Sequence, residues 1–314
     1  MKNEKIKLTL DNGSIVDAQA PLIISASRAT DIPAFYSGWF FDRLCKGYVR
    51  WRNPYNEKDL YVSFANTKFI VFWSKNPNPL LPLLPILKQK GIGYYIQYTL
   101  NDYEAEGLET SVPPLSGRFE TFKRLVDELG LGSVVWRFDP LILTDKISTD
   151  DLLVKISNIA AVIRGYTEKL VFSFADISSY RKVGRNLSEI GVNYREWTED
   201  EMIDFSRKLV DMNLGLELAT CAEKVDLSKF GISHNRCIDP ELICRLSPEL
   251  GPLILNSETD KGQRTLCGCI TSKDIGAYNT CPHGCAYCYA NTSATFARQN
   301  FLRHQHNTDN DSIL

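Results

Sequence analysis

Several features that mark common protein classes are missing from this sequence of 314 residues. No run of about eighteen apolar residues occurs, which argues against a membrane-spanning helix. Residues 1–20 are polar and mixed in charge, unlike a secretory signal peptide. A glycine-rich phosphate loop and a nucleophile motif are also missing. We therefore expect a cytoplasmic protein without a membrane partner, in which thiols stay reduced.

A strong excess of either charge is absent as well. The chain has 36 Lys and Arg residues against 38 Asp and Glu, with a formal net charge of −2. This balance gives no overall basic field for non-specific binding of nucleic acid, although it does not exclude a local basic groove. The composition is therefore compatible with either a small-molecule substrate or a nucleic-acid substrate.

Histidine is scarce, with four residues, whereas cysteine is abundant, with nine. Eight of the nine cysteines follow position 220. An odd number in a reducing compartment does not fit a disulfide framework, and clustering at one end is typical of metal ligands. We expect Cys45 and Cys244, in apolar stretches, to be core residues, and His283, His304 and His306 to be exposed.

Apolar, β-branched and aromatic runs alternate with helical stretches. The strand candidates are 22–28, 68–76, 93–101, 133–141, 169–176, 215–222 and, more weakly, 252–256. The helix candidates are 33–46, 80–90, 118–129, 149–164, 180–190, 198–212 and 240–246. This alternation predicts an α/β fold with a closed or partial parallel (βα) barrel, and a doubly wound open sheet is the alternative.

The domain organisation follows from this pattern. Residues 21–256 are predicted to form the β/α barrel, after an N-terminal extension at 1–20. A cysteine-rich segment at 257–303 is predicted to dock on the barrel rim, and residues 304–314 are predicted to be a disordered tail.

Each strand candidate starts apolar and ends polar. In a parallel barrel the carboxyl ends of the strands form the active-site face, so these polar residues would meet there. The alternative is that they only mark where each strand leaves the core. The candidate catalytic residues are Arg28, Asp31, Lys75, Gln97, Arg137 and Asp139. The candidate cofactor-binding residues are Asn76, Thr99 and Glu217, with Tyr287 from the cysteine-rich segment.

The stretch "CPHGCAYC" places three cysteines, Cys281, Cys285 and Cys288, within eight residues. Three thiolates at two- and three-residue gaps suit a [4Fe–4S] cluster with one iron left open. Zinc is the alternative, with Cys285 and Cys288 as one pair, and with Cys281 or His283 and the upstream Cys267 and Cys269 available to complete four ligands.

The spacing C-x3-C-x-aromatic-C resembles the signature of the radical S-adenosylmethionine superfamily, and "HGCAYCYA" is similar to its spore photoproduct lyase-like branch. The resemblance implies a [4Fe–4S] cluster that binds S-adenosylmethionine and reduces it to methionine and a 5′-deoxyadenosyl radical. It also implies an electron donor such as flavodoxin or ferredoxin. The superfamily places its cysteine loop after the first strand, whereas here the loop follows the predicted barrel, so we expect a permuted arrangement with a helix at 291–305.

A second resemblance covers most of the chain. The segments "ISASRATDIPAFY", "FWSKNP", "WRFDPLIL" and "DIGAYNTC" are similar to the family called domain of unknown function 1848. That family has a C-terminal cysteine cluster like the one described above. The resemblance names no substrate.

Four further cysteines are candidates for a second metal site. They are Cys221, Cys237, Cys267 and Cys269. Four thiolates suit a second iron–sulfur cluster or a zinc ion. The alternative is that some of them are inert core residues.

Overall fold

A parallel β-sheet organises the chain in the computed structural model, which describes residues 4–264 and 266–314. Within these residues the sheet has eight strands, which are β3 (Ile23–Ala26), β6 (Phe69–Ser74), β7 (Gly93–Thr99), β8 (Val134–Leu141), β10 (Lys169–Phe174), β12 (Glu217–Thr220), β13 (Ser233–His234) and β14 (Lys273–Asp274). Their order across the sheet is β13-β12-β10-β8-β7-β6-β3-β14, and each neighbouring pair is parallel. The predicted α/β class with a parallel sheet is therefore confirmed.

The strand order is that of a sheet wound in one direction. From β3 to β13 each new strand joins the same edge, and β14 returns to lie beside β3. This order is compatible with the predicted barrel, but β13 and β14 are both edge strands in the part of the chain that the structure describes. The sheet therefore stays open in its hydrogen bonding there.

Helices follow most of the strands. They are α1 (Ile32–Phe35), α2 (Ser37–Lys46), α3 (Leu84–Gln89), α4 (Leu115–Leu129), α5 (Thr149–Ile163), α6 (Arg181–Glu189), α7 (Glu199–Asp211), α8 (Pro240–Leu246), α9 (Gly251–Ile254) and α10 (Ala294–Gln305). Short 3₁₀ turns span Asn78–Leu83, Ser228–Phe230 and Pro248–Leu250. The weak strand candidate 252–256 was wrong, because Gly251–Ile254 is helical and packs beside α8.

Alternate residues of the strands face two different cores. Ile24, Ile70 and Ile96 belong to a large core shared with the helices. Their neighbours in sequence Ile23, Phe69 and Tyr95 belong to a second core. That second core is completed by Ile238, Ile243, Leu250, Ile254 and Ile270, from and around α8 and α9. This second core packs against residues early in β3, β6 and β7. The carboxyl ends of these strands lie beyond it, and polar side chains occupy them.

A small second sheet forms from segments that the sequence pattern did not indicate as strands. It contains β1 (Glu4–Thr9), β2 (Ile15–Ala20), β4 (Tyr48–Arg52) and β5 (Asp59–Ser63), in the order β1-β2-β5-β4. The predicted extension at 1–20 is thus largely a hairpin. Its turn uses Gly13, whose φ of +81° lies in the left-handed region that glycine adopts without strain. A separate antiparallel pair joins β9 (Leu143–Thr144) to β11 (Tyr194–Arg195).

The C-terminal residues pack on this part of the molecule, which differs from the predicted disordered tail. Trp39 Nε1 donates to the Asn310 carbonyl at 2.8 Å, and Arg50 Nε lies 2.8 Å from Asp311 Oδ1. Ile313 is buried. Aromatic and guanidinium partners on α2 and β4 therefore order a segment that looks merely polar in sequence. No helix among the described residues is both long and apolar enough to cross a membrane.

Burial of His304 predicts a pH-dependent stability. The imidazole packs edge-on against Tyr36, with ring centroids 4.8 Å apart, and burial lowers its pKa below the ordinary value of 6.5. As the pH falls through about 6.5, the unfolded chain takes up this proton before the folded protein does, so stability is lost.

We expect His304→Gln to weaken the loss of stability between pH 7 and pH 5, measured by urea unfolding. The control is His306→Gln, an exposed residue just after the same helix, which should leave the pH profile unchanged. An equal effect of both substitutions would contradict this account.

Candidate functional site

The cysteine loop 281–288 lies against the segment that follows β7. Ala286 N–H donates to the Leu108 carbonyl at 2.9 Å, and Ser111 N–H donates to the His283 carbonyl at 3.0 Å. Gly284 has a φ of +69°, and a Cβ atom there would lie 2.6 Å from Thr110 Oγ1. Backbone pairing and a required glycine therefore fit the loop to the carboxyl edge of the sheet.

Asp31 joins the loop to the ends of β3 and β6. Its carboxylate caps α1 by accepting from Ala34 N–H at 2.9 Å, and it also accepts from the Ser74 hydroxyl at 2.7 Å. The other oxygen accepts from Lys75 N–H and lies 2.8 Å from His283 Nε2. His283 is buried by this contact, so its predicted exposure was wrong. Asp31 thus connects the loop, through His283, to α1 and to the end of β6.

A second buried carboxylate, Glu109, holds the other side of the loop. Lys75 Nζ lies 2.7 Å from Glu109 Oε1 and 2.8 Å from the Tyr287 hydroxyl, which itself donates to Glu109. Asn101 Nδ2 also donates to the Tyr287 oxygen at 3.1 Å. Burial alone would raise the pKa of Glu109, but the charges of Lys75 and Arg118 hold it below its ordinary value. The Tyr287 hydroxyl is therefore fixed inside the protein.

The three cysteines of the loop share a buried setting. Burial raises the pKa of the Cys281, Cys285 and Cys288 thiols, and the Lys75 charge opposes this at Cys285. Asn291 Nδ2 donates to the Cys281 carbonyl at 2.8 Å. Within residues 4–264 and 266–314, no three His, Cys, Asp or Glu side chains are arranged to hold a single metal ion. An iron–sulfur cluster binds each thiolate to its own iron, so it does not require sulfurs packed around one point.

The four remaining candidate cysteines lie together at a second place. Cys221 follows β12 and Cys237 follows β13, and their sulfurs are 3.5 Å apart. Cys237 also contacts Cys269, which contacts Cys267. Hydrogen bonds from Cys221 and Cys269, together with the Arg137 and Arg28 charges, hold the pKa of Cys237 well below its ordinary value.

Three predicted catalytic residues surround this second group. Arg137 Nη1 lies 3.2 Å from Cys237 Sγ and 3.3 Å from Gln97 Oε1, and its Nε lies 3.1 Å from Asp139 Oδ2. Gln97 Nε2 donates to the Cys237 carbonyl at 3.1 Å. Asp139 accepts from the Ser173 hydroxyl as well. Arg137 is therefore committed to partners within the protein.

Arg28 lies between the two groups of cysteines. Its guanidinium stands 4.9 Å above the Trp73 ring, and its charge acts on Cys237, Cys267 and Cys269. Its carbonyl accepts from the hydroxyl of Tyr289, the residue after Cys288. The Arg28 Nη2 atom is buried and makes no hydrogen bond within the described residues. Arg28 is thus a buried cation that has a hydrogen-bond donor without a partner among the described residues.

Other predicted residues lie apart from these two groups. Glu217 begins β12, so it lies at the opposite edge of the sheet, where it is exposed and pairs with Lys169 at 3.0 Å. The prediction that it lies on the rim was wrong, because polar residues precede an apolar run as well as follow it. It lines a cavity of about 290 Å³ there. Asn76 and Thr99 are half-buried at the carboxyl ends of β6 and β7.

Sequence reasoning missed the residues that brace the loop. Glu109 and Asp274 were not candidates, and His283 was considered only as an alternative zinc ligand. Asp274 accepts from the Ser25 and Ser27 hydroxyls, both at 2.7 Å. Asn101 ended a strand candidate, which was the only available signal. Cys45, predicted to be buried, is exposed on α2.

The buried ion pair generates a stability prediction. Replacing Glu109 with Gln leaves the Lys75 and Arg118 charges buried without a full counter-charge, and breaking such a pair costs about 3–5 kcal/mol. We expect this loss in urea unfolding of Glu109→Gln. The matched control is Glu104→Gln, because Glu104 also pairs with Arg118 but is exposed, and it should cost no more than about 1 kcal/mol. Equal losses of unfolding free energy in the two variants would show that burial does not determine how much each carboxylate contributes to stability.

Comparison with known proteins gives one match. A family model described as Domain of unknown function (DUF1848) matches residues 23–290, which is most of the chain. No curated protein and no solved structure matches. The predicted resemblance to this family is confirmed, and the chain belongs to the family described as Domain of unknown function (DUF1848).

Proposed function

We propose that the protein is a radical S-adenosylmethionine-type enzyme whose Cys281, Cys285 and Cys288 bind a [4Fe–4S] cluster. The observation that carries the proposal is the bracing of the cysteine loop on the carboxyl edge of a parallel sheet by Asp31, Lys75 and Glu109. In a parallel α/β protein this edge is where substrates and cofactors bind.

The residues present fit the cofactor in their donor chemistry. Thiolates are the usual ligands of iron–sulfur clusters, and this loop supplies three at short spacing while one iron would stay open. When bound, the cluster supplies one electron to S-adenosylmethionine, which splits to methionine and a radical that takes hydrogen from substrate. The Lys75 charge opposes the rise in the pKa of the Cys285 thiol that burial causes, which would favour the thiolate form of this residue.

The chain also supplies groups that would orient the cofactor. Arg137 is already paired with Asp139, so Arg28, with its unpartnered Nη2, is the better candidate to bind the carboxylate of S-adenosylmethionine. The Trp73 ring fixes the Arg28 guanidinium in place. The electron donor and the choice between a small molecule and a nucleic acid as substrate stay predictions from the sequence.

The first experiment is spectroscopic. The protein is purified without oxygen, reconstituted with iron and sulfide, and reduced with dithionite. We expect an electron paramagnetic resonance signal of a reduced [4Fe–4S] cluster that changes when S-adenosylmethionine is added, together with 5′-deoxyadenosine. A spectroscopically silent protein that binds zinc at the loop would overturn the proposal and favour a metal-stabilised binding protein.

A ligand substitution tests the assignment of the loop. In Cys285→Ala one iron loses its thiolate, so we expect loss of the signal and of S-adenosylmethionine cleavage. The control is Cys45→Ala, which removes an exposed thiol far along the chain and should change neither readout. Iron content serves as a readout independent of turnover. Full cleavage by Cys285→Ala would sink the assignment.

A further inference from the structure

The second group of cysteines converges from three separate parts of the chain. Cys221 and Cys237 come from the segments after β12 and β13, whereas Cys267 and Cys269 flank Gly268. The sulfurs of Cys221 and Cys237 are 3.5 Å apart, close to the roughly 4 Å that separates two thiolates on one tetrahedral zinc ion. Ile238 N–H donates to Cys269 Sγ at 3.3 Å. Four sulfurs thus adjoin one another in a largely buried place.

The donors around Cys237 favour negative charge on that sulfur. Arg137 Nη1 lies 3.2 Å from Cys237 Sγ, and Asn235 Nδ2 donates to the same atom at 3.5 Å. Arg28 adds a second positive charge beside three of the four sulfurs. Inert core cysteines behave as small apolar side chains and have no need of buried cations, whose desolvation is costly. Four thiolates around a divalent centre would, in contrast, retain negative charge that the arginines offset.

We infer that Cys221, Cys237, Cys267 and Cys269 bind a second, thiolate-ligated metal centre, either one zinc ion or one iron–sulfur cluster. The sulfurs are neighbours in the order Cys221, Cys237, Cys269, Cys267. Among the described residues, no three of these side chains are arranged around the position of a single metal ion. A single zinc ion would require the four sulfurs to draw together, whereas an iron–sulfur cluster binds each thiolate to its own iron and has no such requirement. This inference goes beyond the proposed function and is independent of it, because none of the four belongs to the 281–288 loop.

The test removes the first group of cysteines from the full-length chain. In the variant Cys281→Ala/Cys285→Ala/Cys288→Ala, any bound metal must belong to another site. The variant is reconstituted separately with zinc and with iron plus sulfide, and metal and acid-labile sulfide per chain are measured. We expect about one zinc ion, or about four irons with four sulfides, and the stoichiometry distinguishes the two centres.

A fourth substitution locates the centre. Adding Cys237→Ser should reduce the bound metal to background, whereas adding Cys45→Ser should leave it unchanged. A triple variant that holds neither metal, or an unchanged content after Cys237→Ser, would overturn the inference. Failure of the proposed function looks different, because the wild type and the triple variant would then hold equal iron and acid-labile sulfide, even where the loop of the wild type binds zinc.

A labelling experiment covers the case in which Cys237→Ser does not fold. The folded triple variant is treated with iodoacetamide with and without metal, and the labelled peptides are mapped. We expect metal to protect Cys221, Cys237, Cys267 and Cys269, and a chelator to restore their labelling. Cys45 should react equally under all conditions. Labelling of the four that is indifferent to metal would contradict the inference.

Discussion

Two buried carboxylates hold the C-terminal cysteine loop on the sheet. Asp31 binds His283 from the end of β3, and Glu109 binds Tyr287 and Lys75 after β7. Charges in such places are tolerated only when they are paired and hydrogen-bonded, which both carboxylates are. The position of three thiols relative to the strand ends therefore depends on contacts between residues far apart in the chain.

The two groups of cysteines differ in the charged side chains that lie near their sulfurs. Around the 281–288 loop, the charges of Lys75 and Lys182 act on the thiols, and Lys75 is shared with Glu109. Around Cys237, two guanidinium groups and an amide converge on sulfur. Planar guanidinium groups stay charged when buried and hold several partners at once, which suits Arg137 in its contacts with Gln97, Asp139 and Cys237. The pKa of Cys237 is therefore lowered, whereas burial outweighs the nearby positive charge and raises the pKa of all three loop thiols.

The sequence reveals the long elements better than the short ones. Six β-branched and aromatic runs are strands of the large sheet, because each buries side chains on both faces. The two-residue strands β13 and β14 have no pattern of their own and exist only through their neighbours. Strands β4 and β5 span only five positions each and show no sustained alternation of apolar and polar residues, so they do not stand out. Glu217 was predicted at the wrong end of its strand because composition does not distinguish the two ends. Glu109 could not be predicted as a site residue because its partners lie in other segments of the chain.

The contact between Asp31 and His283 joins residues that are 252 positions apart. During synthesis the N-terminal part of a chain is made and begins to fold first. The strands that receive the cysteine loop therefore leave the ribosome well before its thiols do. The three thiols consequently emerge after the strands on which they dock, which shortens the period in which they are open to oxidation.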